Sequence, residues 1–205
     1  WDPAQPFRSI AHNGEINTLK GNVNWMKVHE EEMFDSNYDD IENLKPVIPE
    51  GNSDSASLDN VFELLSMSGH SAPLTKLMLI PDAWSKKSKI LPKNQLKLFN
   101  FLNSTMEPWD GPAALAGTDN EWVIAASDRN GLRPLRFTIT RDKLLFAGSE
   151  TGMVDLNEKK IIRKGRLGPG EIIGVRIEKG KVFTNSQIKD YLAKEYKHFN
   201  NQIID

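Results

Sequence analysis

Cysteine is absent from the 205 residues of this sequence. A chain without thiols forms no disulfide, offers no thiolate ligand to zinc, and carries no cysteine nucleophile of its own. The sequence also lacks an apolar run of about 20 residues, the length that crosses a bilayer. Its N-terminus has neither the basic flank nor the apolar stretch of a signal peptide. These absences predict a cytoplasmic protein without a membrane-spanning segment.

The sequence also lacks a large excess of either positive or negative charge. The 26 basic and 28 acidic residues leave a formal net charge of −2, which provides no basic field for nucleic acid or an anionic membrane. Small-molecule or protein partners are therefore favoured. The composition, 39% hydrophobic and 26% charged, is that of an ordinary globular protein, and the length predicts one domain.

The most informative stretch is Ala11-His12-Asn13-Gly14-Glu15-Ile16-Asn17-Thr18. An apolar lead-in and a following amphipathic run predict a strand that turns into a helix, with Asn13 and Gly14 at the corner. The Asn13 carboxamide and the unshielded Gly14 N–H are donors that can hold a developing oxyanion. Asn-Gly is equally a common turn pair, so the residue types alone leave catalysis and simple turn formation open.

A second polar cluster, Asn52-Ser53-Asp54-Ser55-Ala56-Ser57, opens a helical pattern that ends at Gly69. Asp54 or a neighbouring serine suits the N-cap of that helix, where a side-chain oxygen accepts a backbone N–H. A carboxylate also suits a substrate ammonium, because it accepts several N–H donors and is ionised at neutral pH. Both roles are open for Asp54 at this level.

Hydrophobic periodicity predicts a helical first half and a mostly β second half. Helices are predicted over about 18–34, from 52–57 to Gly69, over 73–79, from Pro92, and over about 186–199; strands are predicted over 113–118, 121–127, 136–140, 143–147, 161–164, 171–177 and 181–184. In the first helix, Glu30 to Glu32 are predicted to form a solvated face, and His29 lacks a second ligand at metal spacing. The mixture predicts an α+β fold with sheets covered by helices.

Residues 12–18, together with Gly21-Asn22, resemble the signature of the glutaminase domain of the glutamate synthase large chain, a type-2 glutamine amidotransferase with an N-terminal cysteine nucleophile. Other segments match the same family in the same order, so that the resemblance covers nearly the whole chain: 21–26, 107–113, 128–135, 149–152 and 164–171. The resemblance implies an αββα N-terminal-nucleophile sandwich of two antiparallel sheets flanked by helices. The last three segments are expected to be scaffold.

Carried over residue by residue, the resemblance implies that Asn13 and Gly14 form the oxyanion hole and that Asp54 pairs with the α-ammonium of the substrate. Glu15, in the same motif, is expected to contact the substrate. The family's carboxylate-binding arginine lies upstream of the segment that matches residues 1–8, so Arg8 is interpreted as a solvated or ion-paired surface residue. No cofactor and no metal are expected in this segment.

The resemblance further implies an activity, the hydrolysis of L-glutamine to glutamate and ammonia that is channelled to the amination of 2-oxoglutarate. The oxidoreductase parent is expected to use FMN and an iron–sulfur cluster, and to include further large-chain domains and a small electron-transfer subunit. Residues 1–205 are expected to be a partial type-2 domain, inactive alone, with its first strands and nucleophile upstream. The alternative, motivated by the missing cysteine, is a non-catalytic amidotransferase-like binding or regulatory module.

Overall fold

The secondary structure follows the predicted periodicity closely. The structure, a computed structural model, describes residues 7–33, 40–83 and 91–196, so the predicted ends of the first and last helices, at 34 and 197–199, lie outside it. These ranges contain five α-helices: α1 Leu19–Glu32, α2 Asp54–Met67, α3 Ala72–Leu79, α4 Lys93–Thr105 and α5 Asn185–Glu195. No helix in them is long and apolar enough to cross a membrane.

Eight strands in the described ranges form two antiparallel sheets. They are β1 Ile10–Gly14, β2 Ala113–Thr118, β3 Trp122–Ser127, β4 Arg136–Thr140, β5 Leu145–Gly148, β6 Ile161–Arg166, β7 Ile172–Arg176 and β8 Lys181–Phe183. The larger sheet has the order β1-β2-β3-β7-β8, and the smaller sheet has the order β5-β4-β6. In the part of the chain that the structure describes, β1 is therefore an edge strand with one open side.

The five-stranded sheet is covered on both faces. One face packs against the helices in the main core, in which α3 is buried along its whole length and Ile172 of β7 is fully buried against the helical side. The other face packs against the three-stranded sheet, where the small side chains of Ala114 and Ala125 meet Phe137. The α+β class and the two antiparallel sheets with helices are confirmed, and the described residues form three layers of the expected sandwich.

The Asn-Gly pair differs from its predicted place in a turn. Asn13 and Gly14 are the last two residues of β1, paired with Ala114 and Ala113 of β2. The chain turns only after them, over residues 15–18, before α1 begins. The pairing with β2 is a long-range interaction, and it overrides the local turn preference of Asn-Gly.

The predicted solvated face of α1 is wrong for one residue. Glu31 and Glu32 are exposed, but Glu30 is only 8% exposed. Its Oε1 accepts the N–H of Val47 at 2.8 Å. A buried carboxylate is stable only with such partners, so Glu30 fixes the loop before α2 against α1.

Candidate functional site

The hydrogen-bond ladder between β1 and β2 determines the direction of the Gly14 N–H. Thr118 N–H donates to the Ser9 carbonyl at 2.9 Å, and Glu15 N–H donates to the Pro112 carbonyl at 2.9 Å. Hydrogen-bonded and non-hydrogen-bonded positions alternate along an antiparallel pair. Since Ser9 and Glu15 are bonded positions, the N–H of Gly14 points away from β2, toward the open side of β1.

Glycine is required at position 14. Its φ is +152°, and a Cβ there would lie 1.8 Å from the Pro112 carbonyl oxygen. Gly111 has the same φ, and a Cβ on it would lie 2.0 Å from the Glu15 carbonyl oxygen. The two glycines allow the end of β1 to pack directly against the segment before β2. The segment of residues 107–112, which precedes β2, therefore packs against the end of β1.

Residues 107–112 also contact α1 and the turn before it. Asn17 N–H donates to the Asp110 carbonyl at 2.8 Å, and Asn22 Nδ2 donates to the Pro108 carbonyl at 3.1 Å. His29 Nε2 lies 2.7 Å from a carboxylate oxygen of Glu107. These contacts account for Asn22 in the Gly21-Asn22 motif, and they give His29 a hydrogen-bonding partner in Glu107.

The Asn13 side chain is exposed at the end of β1. Its Nδ2 donates to Ser149 Oγ at 3.0 Å, and this is its sole side-chain hydrogen bond among the residues described. An amide Nδ2 carries two N–H donors, so one of them remains for a ligand. That donor and the outward N–H of Gly14 lie on consecutive residues, and paired donors of this kind stabilise an oxyanion.

Asp54 is the first residue of α2, but it does not cap the helix. Ser53 is the N-cap, since its Oγ accepts the Ala56 N–H at 3.2 Å. Asp54 Oδ2 instead accepts the Ile16 N–H at 2.8 Å. The Asp54 side chain remains 22% exposed. The carboxylate is therefore tied to the turn that follows Gly14 and has room for further N–H donors.

His12 lies next to Ser55 and Asp54, and its ring is wholly buried. Its Nδ1 is 2.6 Å from Ser55 Oγ and 4.0 Å from Asp54 Oδ2. In a Ser-His-Asp triad the serine and the aspartate contact different ring nitrogens, so this cluster is not a triad. Burial lowers the pKa of His12 below 6.5, and Asp54 opposes part of that shift. The sequence pattern does not single out His12, although it lies inside the key motif.

A second carboxylate of α2, Asp59, holds the start of β1. Its Oδ2 accepts the Arg8 N–H at 2.8 Å, and its Oδ1 accepts the N–H groups of Ser9 and Ile10 at 2.9 and 2.7 Å. Asp59 is 0% exposed. The sequence carries no signal for this role beyond a charged residue on the buried side of a helix, where an unpaired carboxylate is unstable.

The remaining expectations concern the surface around this corner. The Arg8 side chain forms an exposed ion pair with Glu63 at 3.1 Å, as predicted. Glu15 is exposed, and its carboxylate has no partner in the part of the chain that the structure covers, so its substrate contact stays a prediction. Within the same ranges, no group of three His, Cys, Asp or Glu residues is arranged to hold a metal ion.

The sequence matches a known protein family along almost its whole length. The family model for class-II glutamine amidotransferases matches residues 1–200. The chain belongs to this family. The motif-based recognition of a glutamine amidotransferase is confirmed.

The amidotransferase domain is similar to parts of several glutamate synthases. It is 55% identical over 194 residues to the glutamate synthase [NADPH] large chain of Azospirillum brasilense, covering 94% of this chain and 13% of the relative. Identity is 42% over 198 residues to the glutamate synthase [NADH] of Schizosaccharomyces pombe, covering 96% of this chain and 9% of the relative. Identity to the ferredoxin-dependent glutamate synthase 2 of Synechocystis is also 42%, over 201 residues that cover 97% of this chain and 13% of the relative.

Solved structures show a weaker overall likeness. One is the glutamine phosphoribosylpyrophosphate amidotransferase from Bacillus subtilis, with a TM-score of 0.43 and 23% identity, covering 85% of this chain and 28% of that chain. Another is a glutamine aminotransferase class-II domain protein from Silicibacter pomeroyi, with a TM-score of 0.41 and 17% identity, covering 82% and 63%.

Proposed function

We propose that residues 1–205 are part of the glutaminase domain of a glutamate synthase large chain, and that the domain hydrolyses L-glutamine to glutamate and ammonia. One observation carries the proposal. The Gly14 N–H points to the open side of β1 beside the exposed Asn13 carboxamide, and the Asp54 carboxylate is bonded two residues further on, at Ile16. Two oxyanion donors and an acceptor for an ammonium thus lie at one corner.

The chemistry assigned to each residue follows from its atoms. A thiolate attacks the amide carbon of glutamine, and the amide oxygen becomes an oxyanion that Asn13 Nδ2 and the Gly14 N–H stabilise. The leaving nitrogen takes up the proton that the thiol released on becoming a thiolate and departs as ammonia. Water then hydrolyses the thioester, which releases glutamate and restores the thiol. Asp54 binds the substrate α-ammonium, and Glu15 contacts the substrate from the exposed tip.

Other parts of the proposed enzyme lie outside these residues. The thiol comes from outside the sequence because the chain has no cysteine. The lack of cysteine also excludes thiolate ligation of an iron–sulfur cluster here, so we assign that cluster and FMN to other domains. There, ammonia aminates 2-oxoglutarate, with a small subunit supplying electrons. We place the enzyme in the cytoplasm.

The test is Asn13→Ala in the full-length protein. Removal of one oxyanion donor is expected to lower glutamine-dependent kcat by roughly 10²–10³ while the glutamine KM changes little. Glutamate synthesis from added ammonia is expected to persist, because it bypasses the amide hydrolysis. Asn24→Ala, which changes an exposed asparagine of α1, is the matched control.

Two results contradict the proposal. Unchanged glutamine turnover in Asn13→Ala would reduce Asn13 to a structural residue of β1. Absence of glutamine-dependent activity in the unaltered full-length protein, together with retained glutamine binding, would favour the non-catalytic binding or regulatory module. Ammonia-dependent activity shows that the other domains are intact, and hydrogen–deuterium exchange of the β1 peptide detects a folding defect in this domain.

A further inference from the structure

An asparagine in an oxyanion hole must be held in one of two orientations. Rotation of the carboxamide by 180° exchanges the Nδ2 donor with the Oδ1 acceptor. With Nδ2 toward the substrate the side chain stabilises a developing negative charge, whereas with Oδ1 there it repels that charge. Asn13 is exposed, so the tight packing that orients a core amide does not hold it. A hydrogen bond is therefore needed to hold the side chain in place.

Ser149 makes that hydrogen bond from the other sheet. Its Oγ accepts from Asn13 Nδ2 at 3.0 Å, across a separation of 136 residues in the sequence. Asn13 is at the end of β1 in the five-stranded sheet, and Ser149 directly follows β5 in the three-stranded sheet. Since Oγ accepts one N–H of Nδ2, the second N–H is left for a ligand.

The position of Ser149 is well defined. The serine is 6% exposed, although the residues on its C-terminal side, Glu150 to Val154, are exposed. The preceding Gly148 pairs with Arg136 of β4, and the Met153 side chain lies against Gly148, where a Cβ would be 1.7 Å from Met153 Cε. Strand pairing on one side and a returning turn on the other hold the hydroxyl in place.

We infer that Ser149 is a positioning residue that holds the Asn13 carboxamide at the end of β1, with one Nδ2 donor on Ser149 Oγ and the second left for the substrate. The inference rests on the proposed oxyanion role of Asn13. It gives a function to a segment, 149–152, that the sequence assigns only to scaffold. It also makes the oxyanion hole depend on the packing of the two sheets, because each sheet supplies one member of the Asn13–Ser149 pair.

A double-mutant cycle in the full-length protein tests this role. Ser149→Ala is expected to lower glutamine-dependent kcat roughly 2- to 10-fold, the range for one net hydrogen bond, with unchanged glutamine KM. Ser149→Thr keeps the hydroxyl and is expected to retain more activity than Ser149→Ala. Thr151→Ala, an exposed residue of the same turn, is the matched control. Hydrogen–deuterium exchange of the β1 and β5 peptides reports on local folding in every variant, and ammonia-dependent synthesis reports on the other domains.

The decisive measurement is Ser149→Ala in the Asn13→Ala background. If Ser149 acts through Asn13, the second substitution causes no further loss. A further loss as large as in the unaltered background would show a structural role and overturn the inference. So would wild-type turnover of Ser149→Ala beside an impaired Asn13→Ala. Wild-type turnover of Asn13→Ala itself overturns the proposed function, and the two failures are thus distinguished.

Discussion

Two carboxylates of α2, five residues apart, hold the two ends of β1 in different ways. Asp59 is 0% exposed and accepts three consecutive backbone N–H groups, those of residues 8–10. The Asp54 side chain is 22% exposed and accepts one backbone N–H, that of Ile16. One helix therefore fixes both the entry to the strand and the turn after it, through groups of the same chemistry.

The two carboxylates differ in how many of their acceptor sites remain free for a ligand. A carboxylate offers about four acceptor sites, and buried Asp59 uses most of them on β1. Asp54 uses Oδ2 for Ile16 and Oδ1 for a longer 3.3 Å contact with the Ser55 hydroxyl, so part of its acceptor capacity remains unused. Asp59 therefore anchors β1, whereas the partly exposed Asp54 is held by one hydrogen bond to the turn and retains acceptor sites for a cation.

Removal of the anchor has the largest expected effect. Asp59→Ala leaves three N–H groups without their acceptor, and we expect the local free energy of opening at β1 to fall by about 3–5 kcal/mol. Hydrogen–deuterium exchange of the β1 peptide in the full-length protein is expected to accelerate at least about 100-fold. Asp59→Asn, which keeps one acceptor oxygen, should lie in between. Wild-type exchange in Asp59→Ala would show that α2 does not anchor β1.

The effect of Asp54→Asn should be on binding. The variant keeps an oxygen for the Ile16 N–H but loses the charge, so glutamine KM is expected to rise about 10- to 150-fold, equivalent to ~1.5–3 kcal/mol, while exchange at β1 stays unchanged. Ser53→Ala is the control, because it removes the N-cap at a cost of about 1 kcal/mol and should leave KM unchanged. A normal glutamine KM in Asp54→Asn would remove Asp54 from the binding site.

The smallest expected effect is a pH dependence confined to the Asp54 end. Burial holds the pKa of His12 below 6.5, so below about pH 6.5 the unfolded state binds more protons than the folded state. Stability is therefore full above pH 6.5 and is lost as the pH falls through the folded-state pKa. Hydrogen exchange between pH 7.5 and 5, corrected for the intrinsic rate, is expected to show weakening protection near Ile16.

His12→Gln should flatten this profile. Burial also lowers the pKa of His70, so both proteins should carry His70→Gln to isolate the His12 contribution. Residues 8–10, held by Asp59, serve as the internal reference. An identical pH profile in the presence and absence of His12 would assign the acid sensitivity to other groups.

Much of this architecture can be predicted from sequence, because it depends on local patterns. The strand pairs around Asp119-Asn120 and Arg141-Asp142 and the end of α2 before Gly69, whose φ is +95°, all lie where periodicity and turn residues place them. The collinear motifs also identify the amidotransferase family. The Asn-Gly pair is less well predicted, since its turn preference gives way to pairing with β2.

The sequence alone predicts the order of helices and strands, because that order depends on residue types at short spacing. Its collinear motifs identify the family and make Asn13, Gly14 and Asp54 candidates for the site. The folded chain is needed to see that the Gly14 N–H points outward and that Ser53 rather than Asp54 caps α2. It also brings Asp54 to the turn after β1, and Asp59 and Ser149 to β1 itself. These features depend on ladder register and on contacts between residues far apart in the chain, and local periodicity carries no information about either.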